Sequence, residues 1–315
     1  MTERSPERPG LIQARPVRHP WRWVAIAALT VVVAMMVSSF VTNAKWDFPF
    51  ALEIMQQQRV LEGLYKGTLL GTAGAMAIGV TFGVVVAVMR LSDNPVLRWV
   101  SFGYTWFFRA IPRYVLLVLI GTGIGYLYNR LDIGVPFGEQ IAGAFGLSND
   151  LTIWHFDTKD ITGGIFGGMV GLGLSEAAYM AEIARAGILS VDQGQAEAAQ
   201  ALGMDSSRTM RRIILPQAMR VIVPPTGNET IAMVKDTSLL VALPVITELF
   251  YQTSSIGSQT FRIMPGLVAA TLYYLIVCSI LMVGQSYLER YFGRGFGQPK
   301  PKNPRFARPA GMGGA

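Results

Sequence analysis

Three ionisable residues lie within one long apolar stretch, 161–189, where residues three apart become neighbours if the stretch is helical. Glu182 precedes Arg185 by three residues, and this spacing predicts a local ion pair. Glu176 lies deeper in the stretch and has no residue of opposite charge at helical spacing. Because an unpaired charge inside a membrane costs several kcal/mol, Glu176 is predicted to contact a bound solute or to pair with a neighbouring span.

Five further residues in or beside apolar stretches join Glu176 in a predicted solute path: Arg109, Tyr179, Asn228, Lys235 and Asp236. The stretch that carries the last three, 213–246, contains two adjacent prolines, which lack amide donors and predict a broken helix. Irregular backbone at membrane depth is tolerated where it lines a water-filled cavity. Two alternatives stay open, since Lys235 and Asp236 could pair with each other and Arg109 could extend to the lipid headgroups.

The residue types that most enzymatic and metal sites require are scarce. The chain has one cysteine, Cys278, and two histidines, His19 and His155, which are far apart. No internal disulfide can form, and a cysteine-based metal site or a Ser-His-Asp triad is hard to assemble. The phosphate-binding pattern G-x-x-x-x-G-K-[ST] does not occur. The sequence therefore predicts no catalysis, no metal site and no bound cofactor in this chain.

The overall composition is that of a membrane protein. Hydrophobic residues make up 51% of the 315 residues and charged residues only 15%, whereas soluble domains carry roughly 25% charge. The formal net charge of +7 could suggest nucleic-acid binding, but most basic residues lie in the two tails and one short loop. Such placement sets orientation, with Lys and Arg on the cytoplasmic side. We therefore expect a multi-pass protein of the cell membrane that does not bind nucleic acid.

Six apolar stretches are long enough to cross a bilayer, which takes about 20 helical residues. They are residues 23–41, 68–89, 98–128, 161–189, 213–246 and 267–287. An all-α integral membrane fold with six spans places both basic tails in the cytoplasm and the acidic 129–160 loop outside. The first stretch could alternatively be a cleaved signal peptide, although its length of about 19 residues exceeds the usual 7–15.

The loop between the fourth and fifth stretches has the most specific spacing in the chain. It reads E-A-A-x3-G-x9-I-x-L-P and is formed by Glu197, Ala198, Ala199, Gly203, Ile213, Leu215 and Pro216. Helix formers precede Gly203, which can end a helix in the left-handed conformation, and Asp205 or Ser206 can cap a second helix. The sequence therefore predicts a helix–turn–helix elbow on the cytoplasmic face, which a partner protein could grip and move.

This pattern resembles the EAA loop of the permease subunits of ATP-binding-cassette (ABC) importers. The flanking segments 176–191 and 235–239 are similar to the branch of that family that takes up polar amino acids. The resemblance covers residues 60–290, with the EAA loop at 192–216, and implies a five-helix core. Residues 23–42 then form an additional membrane helix, 1–22 a basic cytoplasmic tail, and 291–315 a disordered basic cytoplasmic tail.

The resemblance also implies partners and a function. Two cytoplasmic ABC ATPase subunits would dock on the EAA loops and hold ATP and Mg²⁺, and an extracytoplasmic solute-binding protein would deliver the ligand. A second permease subunit, identical or similar, would complete a dimer in the lipid bilayer that alternates access between the two sides. Glu176 would contact the α-ammonium or the cationic side chain of a polar amino acid. One segment departs from the pattern of the family: residues 108–112 read F-R-A-I-P here, whereas the family typically has F-R-G-T-P. Arg113 follows this segment at a position where the family usually has an apolar residue.

Other functions stay open at this point. A permease of the same class could carry a different small polar solute, and neither the amino acid nor the identity of the second permease follows from the sequence. An ion-coupled secondary transporter would favour internal repeats, and none is evident. An integral-membrane enzyme would have few residues for catalysis. A non-transporting scaffold would leave the charges within the spans and the elbow unexplained.

Overall fold

The computed structural model describes residues 20–146, 151–158, 162–243 and 245–293. The tails predicted for residues 1–22 and 291–315 lie almost entirely outside these residues. The chain divides into two compact units, Met1–Trp46 and Asp47–Ala315. Most of the described residues in both units are helical.

The first unit consists of an apolar helix and a short turn. Helix α1 spans Pro20–Val41, and none of its residues is buried within the unit. A 3-10 turn follows at Ala44–Trp46, and the indole nitrogen of Trp46 donates a hydrogen bond to the carbonyl oxygen of Phe40. A helix that is apolar on all sides is typical of a membrane span. It lies where the sequence predicts the additional membrane helix.

The second unit contains the remaining helices and one two-stranded sheet. In chain order they are α2 Phe48–Gln56, α3 Gln58–Leu91, α4 Pro95–Ala110, α5 Arg113–Leu127, β1 Arg130–Gly134, α6 Gly138–Phe145, β2 Thr152–Asp157, α7 Gly164–Leu189, α8 Gln193–Ala201, α9 Ser206–Thr209, α10 Leu215–Asp236, α11 Leu249–Gln259 and α12 Ile263–Phe292. Short irregular turns lie within or between helices: π-helical turns at Leu64–Leu69, Leu119–Ile124 and Met210–Ile214, and a 3-10 turn at Thr237–Ala242.

Three helices of the described chain, α1, α3 and α12, are long and apolar enough to cross a membrane. Helices α4 and α5 meet at 105° and make a fourth if the bent pair is one span. Helices α7 and α10 have 26 and 22 residues, which at 1.5 Å per residue is about 39 and 33 Å. Their length suffices for a span, but both carry several charged side chains. The count of six spans and the orientation of the termini stay predictions.

Glycines bring α3 and α7 into close contact. A Cβ added to Gly79 would lie 2.7 Å from the Cβ of Glu176, and one added to Gly83 would lie 3.0 Å from the carbonyl oxygen of Ala177. Only glycine fits at this approach, which resembles the packing of small residues between membrane helices. The contact with α3 covers Glu176 and removes it from solvent.

A hydrophobic core fixes the helices that carry the charged residues. Its buried members come from α3, α5, α7, α10 and the segment that follows α10: Ala75, Met76, Leu117, Leu172, Met233, Leu240, Leu243 and Val245. Close-packed side chains transmit displacement rather than absorb it. The positions of α5, α7 and α10 relative to one another are therefore set by this core.

The described chain is mostly helical, as predicted, and the 129–160 loop adds one two-stranded sheet that is not predicted from the sequence. Strands β1 and β2 pair antiparallel, with Asp132 opposite His155. Strand β2 reads T-I-W-H-F-D, which is rich in the β-branched and aromatic residues that favour strands. The His155 Nδ1 lies 2.7 Å from the Asp132 Oδ1, and the Arg130 Nε donates to the same oxygen at 2.9 Å. The hydrogen bonds with His155 and Arg130 hold the pKa of Asp132 below its ordinary value.

Helix α10 runs without a break through Pro224 and Pro225, which corrects the prediction of a broken fifth span. The two prolines remove amide donors to carbonyls one turn earlier, and this loss alone would destabilise the helix. Packing between α7 and α12 supports it, and the Gln285 Nε2 of α12 donates to the carbonyl oxygen of Pro224 at 2.7 Å. The α-helical conformation ends instead at Asp236, where the 3-10 turn begins.

A buried carboxylate that the sequence patterns do not single out joins α11 to α3 and α12. Glu248 is fully buried. Its Oε2 caps α11 by accepting hydrogen bonds from the amides of Phe250 at 2.6 Å and Tyr251 at 3.1 Å. Its Oε1 accepts from the Thr68 hydroxyl at 3.0 Å and the Tyr274 hydroxyl at 2.7 Å. Both oxygens have donors, so this is a structural junction between three helices.

Replacing Glu248 by glutamine is expected to lower the thermal stability of the purified protein. An amide offers one acceptor oxygen instead of two, and an unsatisfied buried polar group costs about 1–3 kcal/mol. The melting temperature in detergent measures the loss. Glu53→Gln, at an exposed position of α2, is the matched control and should melt like the wild type. Equal melting temperatures for the two variants would contradict the junction.

Candidate functional site

A guanidinium stands among three carboxylates in the second unit. Arg113 is the first residue of α5, and its side chain is only 14% exposed. Its Nη2 lies 2.8 Å from the Glu176 Oε2 and 3.8 Å from the Glu229 Oε2, and its Nη1 pairs with the Asp236 Oδ2. The acidic cluster, defined as Glu176, Glu229 and Asp236, is thus contributed by α7 and α10 and bridged by α5.

The local sequence explains how these side chains meet. Ile111 precedes Pro112, and because a residue before proline disfavours the helical conformation, α4 ends at Ala110. The chain then turns by 105°, and α5 begins with Arg113. On α10, the two acidic residues of the cluster are seven positions apart, which is about two helical turns and places them on one face.

The acidic cluster carries more negative charge than Arg113 neutralises. Glu176 is fully buried, and its Oε1 has no hydrogen-bond partner among the described residues. Glu229 and Asp236 keep some contact with solvent, at 28% and 29% exposure. A buried charge must be paired to be tolerated, and Arg113 provides that partner for Glu176. The surplus of carboxylates and the free oxygen give the site an affinity for cations.

An aromatic ring borders the acidic cluster. The Arg113 Cζ lies 4.9 Å from the centroid of the Tyr179 ring, and the Arg109 Cζ lies 5.5 Å from the same centroid. Both distances are within the range of cation–π attraction. Tyr179 is three residues after Glu176 on α7, so it presents its ring beside the carboxylate. The site therefore combines negative charge with an aromatic surface, and both features attract cations.

The predicted path residues divide into two groups. Four of them meet at the site: Glu176 and Asp236 belong to the acidic cluster, and Tyr179 and Arg109 lie beside it. The other two, Asn228 and Lys235, are exposed on α10. The alternative of a Lys235–Asp236 pair is wrong, because adjacent helical residues point about 100° apart and Asp236 turns toward Arg113. Of the two contacts predicted for Glu176, a bound solute or a partner on a neighbouring span, the structure shows the second, because Glu176 pairs with Arg113 of α5.

Two members of the site lie outside the predicted path. Glu229 could have been found from its seven-residue spacing to Asp236, which puts both on one helical face. In the sequence, Arg113 is visible only as a basic residue that follows Pro112 and precedes an apolar stretch. Its partners are 63 and 123 residues away in the chain, so no local pattern connects them.

The charged pair nearer the end of α7 has the predicted local geometry. The Arg185 Nη2 lies 2.8 Å from the Glu182 Oε2, and Arg185 Nε donates to the same oxygen at 3.0 Å. Arg90, at the end of α3, adds a longer contact of 3.9 Å to the other oxygen. Glu182 and Arg185 lie six and nine residues beyond Glu176 on α7, and the contact with Arg90 links α7 to α3.

The elbow, residues 192–216, has the helix–turn–helix geometry that its sequence predicts. Asp192 caps α8 by accepting from the amide of Gly194 at 2.7 Å. Gly203 ends that helix with a φ of +75°, and the Met204 amide donates back to the Ala199 carbonyl at 3.0 Å. Asp205 then caps α9 by accepting from the Arg208 amide at 2.9 Å, which confirms one of the two predicted caps.

The elbow exposes a large apolar side chain, several arginines and most residues of its sequence pattern. Leu202 is 82% exposed beside Gly203. Three exposed arginines lie close by in sequence: Arg208, Arg211 and Arg212. Of the pattern residues, Ala199 is buried and Ile213 half-buried, whereas the others are exposed: Glu197, Ala198, Gly203, Leu215 and Pro216. Most residues of the pattern are thus accessible at the surface of the elbow.

The elbow joins the two helices that carry the acidic cluster. Helix α7, with Glu176, ends just before it, and α10, with Glu229 and Asp236, begins at its far end. A Cβ added to Gly187 of α7 would lie 3.2 Å from the carbonyl oxygen of Ala218 of α10, so the two helices pack closely beside the elbow. A displacement of the elbow therefore acts on both helices.

Comparison with known proteins agrees with these features. A family model described as "Binding-protein-dependent transport system inner membrane component" matches residues 79–294, which include the acidic cluster and the elbow. The arginine transport system permease protein ArgU of Corynebacterium glutamicum is 42% identical over 292 residues, which cover 92% of this chain and 86% of that protein. The glutamate/aspartate import permease protein GltK of Escherichia coli O6:H1 is 32% identical over 246 residues, which cover 78% and 98%.

Solved structures give the same picture. One described as an amino acid ABC transporter with histidines matches with a TM-score of 0.60 and 29% identity, covering 78% of this chain and 98% of that chain. A bacterial ABC transporter involved in the import of the acidic polysaccharide alginate matches with a TM-score of 0.52 and 14% identity, covering 85% and 98%, and shows the fold alone. The chain therefore belongs to the binding-protein-dependent transport system inner membrane components and is a multi-pass permease subunit of an ABC importer in the cell membrane.

Proposed function

We propose that this permease imports a cationic amino acid, and that arginine is the substrate that fits it best. The acidic cluster carries the proposal. Three carboxylates with one paired guanidinium attract a cationic solute and repel an acidic one. The arginine permease of C. glutamicum, at 42% identity, supports this choice over the glutamate/aspartate permease of E. coli, at 32%.

The cluster offers a cationic side chain specific contacts. The free Oε1 of Glu176 can accept a hydrogen bond from an ammonium or guanidinium group, and a charge-assisted bond of this kind is stronger than a neutral one. The Tyr179 ring borders the carboxylates and adds to the attraction that the site has for cations. In this proposal Asn228 and Lys235, both exposed on α10, remain candidate residues of the solute path.

The energy for import comes, in this proposal, from other subunits. Two ABC ATPases dock on the elbows and bind ATP and Mg²⁺, while this chain binds no cofactor. A solute-binding protein delivers the amino acid outside, and a second permease subunit completes the membrane dimer. The family match and the exposed Leu202 with its neighbouring arginines support this arrangement.

The connection between elbow and site provides the coupling. When the ATPases close on ATP, the elbows move, and each elbow acts on α7 and α10 together. Because Glu176 lies on one helix and Glu229 and Asp236 on the other, a shift between the helices changes the spacing of the carboxylates. The cluster can thereby hold the solute in one state and release it in the other.

Transport in proteoliposomes tests the proposal. The permease, reconstituted with its ATPases and binding protein, is expected to take up labelled L-arginine only when ATP is present, and L-glutamate poorly. Vesicles that lack the ATPases should show no uptake. Uptake driven by an ion gradient without ATPases would instead support a secondary transporter, and a preference for L-glutamate would contradict the role of the acidic cluster.

A further inference from the structure

Arg113 occupies the position in the acidic cluster that a cationic ligand would take. We propose that Arg113 is a tethered competitor: in the ligand-free chain its guanidinium fills the acidic cluster, and a cationic ligand binds by displacing it. This inference rests on the proposed function, because it concerns the same site. The inference goes further than the proposed function, because it says that the permease itself supplies a guanidinium group like the one of its proposed substrate.

The contacts of Arg113 are those that an arginine ligand would make. Its two terminal nitrogens reach all three carboxylates at the same time: Nη1 pairs with Asp236, and Nη2 lies 2.8 Å from the buried Glu176 and 3.8 Å from Glu229. A second guanidinium cannot share these oxygens at hydrogen-bond distance, since the two cations would repel each other. Ligand and Arg113 therefore exclude one another from the oxygens that Arg113 contacts, namely Oε2 of Glu176, Oε2 of Glu229 and Oδ2 of Asp236.

The Tyr179 ring is a contact that the displaced side chain can keep. Arg113 is the first residue of α5, beside the 105° break, so its long side chain starts from a helix end. The Tyr179 ring is already 4.9 Å from its Cζ, and Arg109 rests at 5.5 Å from the same ring. Arg113 can leave the carboxylates while keeping its cation–π contact, which reduces the cost of displacement.

A tethered competitor filters ligands by affinity. A group on a short tether has an effective concentration in the millimolar range, so weakly bound cations do not replace it. A cationic amino acid adds contacts through its backbone groups and can prevail. Because Arg113 bridges α5 to both α7 and α10, its displacement also frees the two helices that the elbow joins. Occupancy by the ligand is thereby linked to the mobility of the coupling elements.

Equilibrium binding to the purified permease–ATPase complex, without binding protein, tests the inference. Arg113→Gln removes the competitor and is expected to bind L-arginine at least about tenfold more tightly than the wild type. Arg113→Lys keeps a positive charge without the fork of donors and should lie between the two. Arg98→Gln, which removes an exposed arginine of α4, is the charge-matched control and should bind like the wild type.

A second measurement covers the case in which Arg113→Gln is too unstable to purify. Free guanidinium should fill the vacated position, so about 10 mM guanidinium chloride is expected to raise the melting temperature of the variant in a saturable way. Sodium chloride at equal ionic strength should not raise the melting temperature of the variant. The melting temperature of the wild type should show no saturable response to guanidinium chloride. Rescue would show that the vacated position accepts a free guanidinium, as the inference requires, and lack of rescue would contradict the inference.

The outcomes separate the inference from the proposed function. Equal or weaker binding of L-arginine by a folded Arg113→Gln, or no rescue by guanidinium, would overturn the tethered competitor. Weaker binding in particular would make Arg113 a ligand-binding group. If guanidinium stabilises the variant while neither form binds or transports L-arginine, Arg113 is a competitor for a different cation and the proposed substrate is wrong.

Discussion

Replacement of Gly203 by valine is expected to reduce ATP-driven uptake roughly 5- to 30-fold while leaving the protein in the membrane. Gly203 has a φ of +75°, and a β-branched residue in this conformation costs about 1–2 kcal/mol or more. A cost of this size lowers the fraction of molecules whose elbow has the native conformation by roughly 5- to 30-fold. A side chain there would meet no atom within 4 Å, so the backbone conformation alone causes the effect.

The matched control for this variant is Gly203→Asn. Asparagine adopts the left-handed conformation more readily than valine, and it should therefore keep much of the uptake and of the binding to the ATPase. Initial rates in proteoliposomes and copurification of the ATPase with the permease measure the two effects. Full uptake and full copurification by Gly203→Val would contradict the role of the elbow as the lever.

Replacement of Glu176 by glutamine is expected to cause the second large loss. It removes the only fully buried carboxylate of the acidic cluster and weakens a charge-assisted contact worth about 1.5–3 kcal/mol, which corresponds to roughly 10- to 100-fold in affinity. The loss should fall on L-arginine binding and uptake. The change preserves size, so the close packing against Gly79 is retained.

Glu182→Gln is the control for this prediction because it removes a charge from the same helix. Glu182 pairs with Arg185 and is 21% exposed, and a partly exposed pair of this kind contributes about 1 kcal/mol or less. Binding of L-arginine by Glu182→Gln should stay close to that of the wild type. If Glu176→Gln and Glu182→Gln bind L-arginine equally well, Glu176 is not part of the site.

The elbow and the acidic cluster differ in how far the sequence predicts them. The elbow depends on short-range rules: Gly203 stops one helix, Asp205 caps the next, and both are read directly from neighbouring residues. The cluster depends on which helices pack together. Arg113 meets residues 63 and 123 positions away, and only the tertiary arrangement brings them within contact distance.

Other corrections have the same cause. The prolines of α10 predict a break when read locally, yet packing against α12 and the Gln285 hydrogen bond support a continuous helix. Glu248 is an ordinary acidic residue in sequence and becomes a junction because Thr68 and Tyr274 converge on it. The β1–β2 pairing arises inside a loop whose charge suggests only its side of the membrane.

The central claim is that the acidic cluster selects a positive charge within the permease, and a comparison of L-arginine with L-citrulline tests it most directly. The two molecules have nearly the same shape, but the citrulline side chain is neutral. Calorimetric binding to the purified permease–ATPase complex, without binding protein, should favour L-arginine at least about tenfold. In Glu176→Gln that preference should shrink or vanish. Equal binding of both ligands to the wild-type complex would contradict the account.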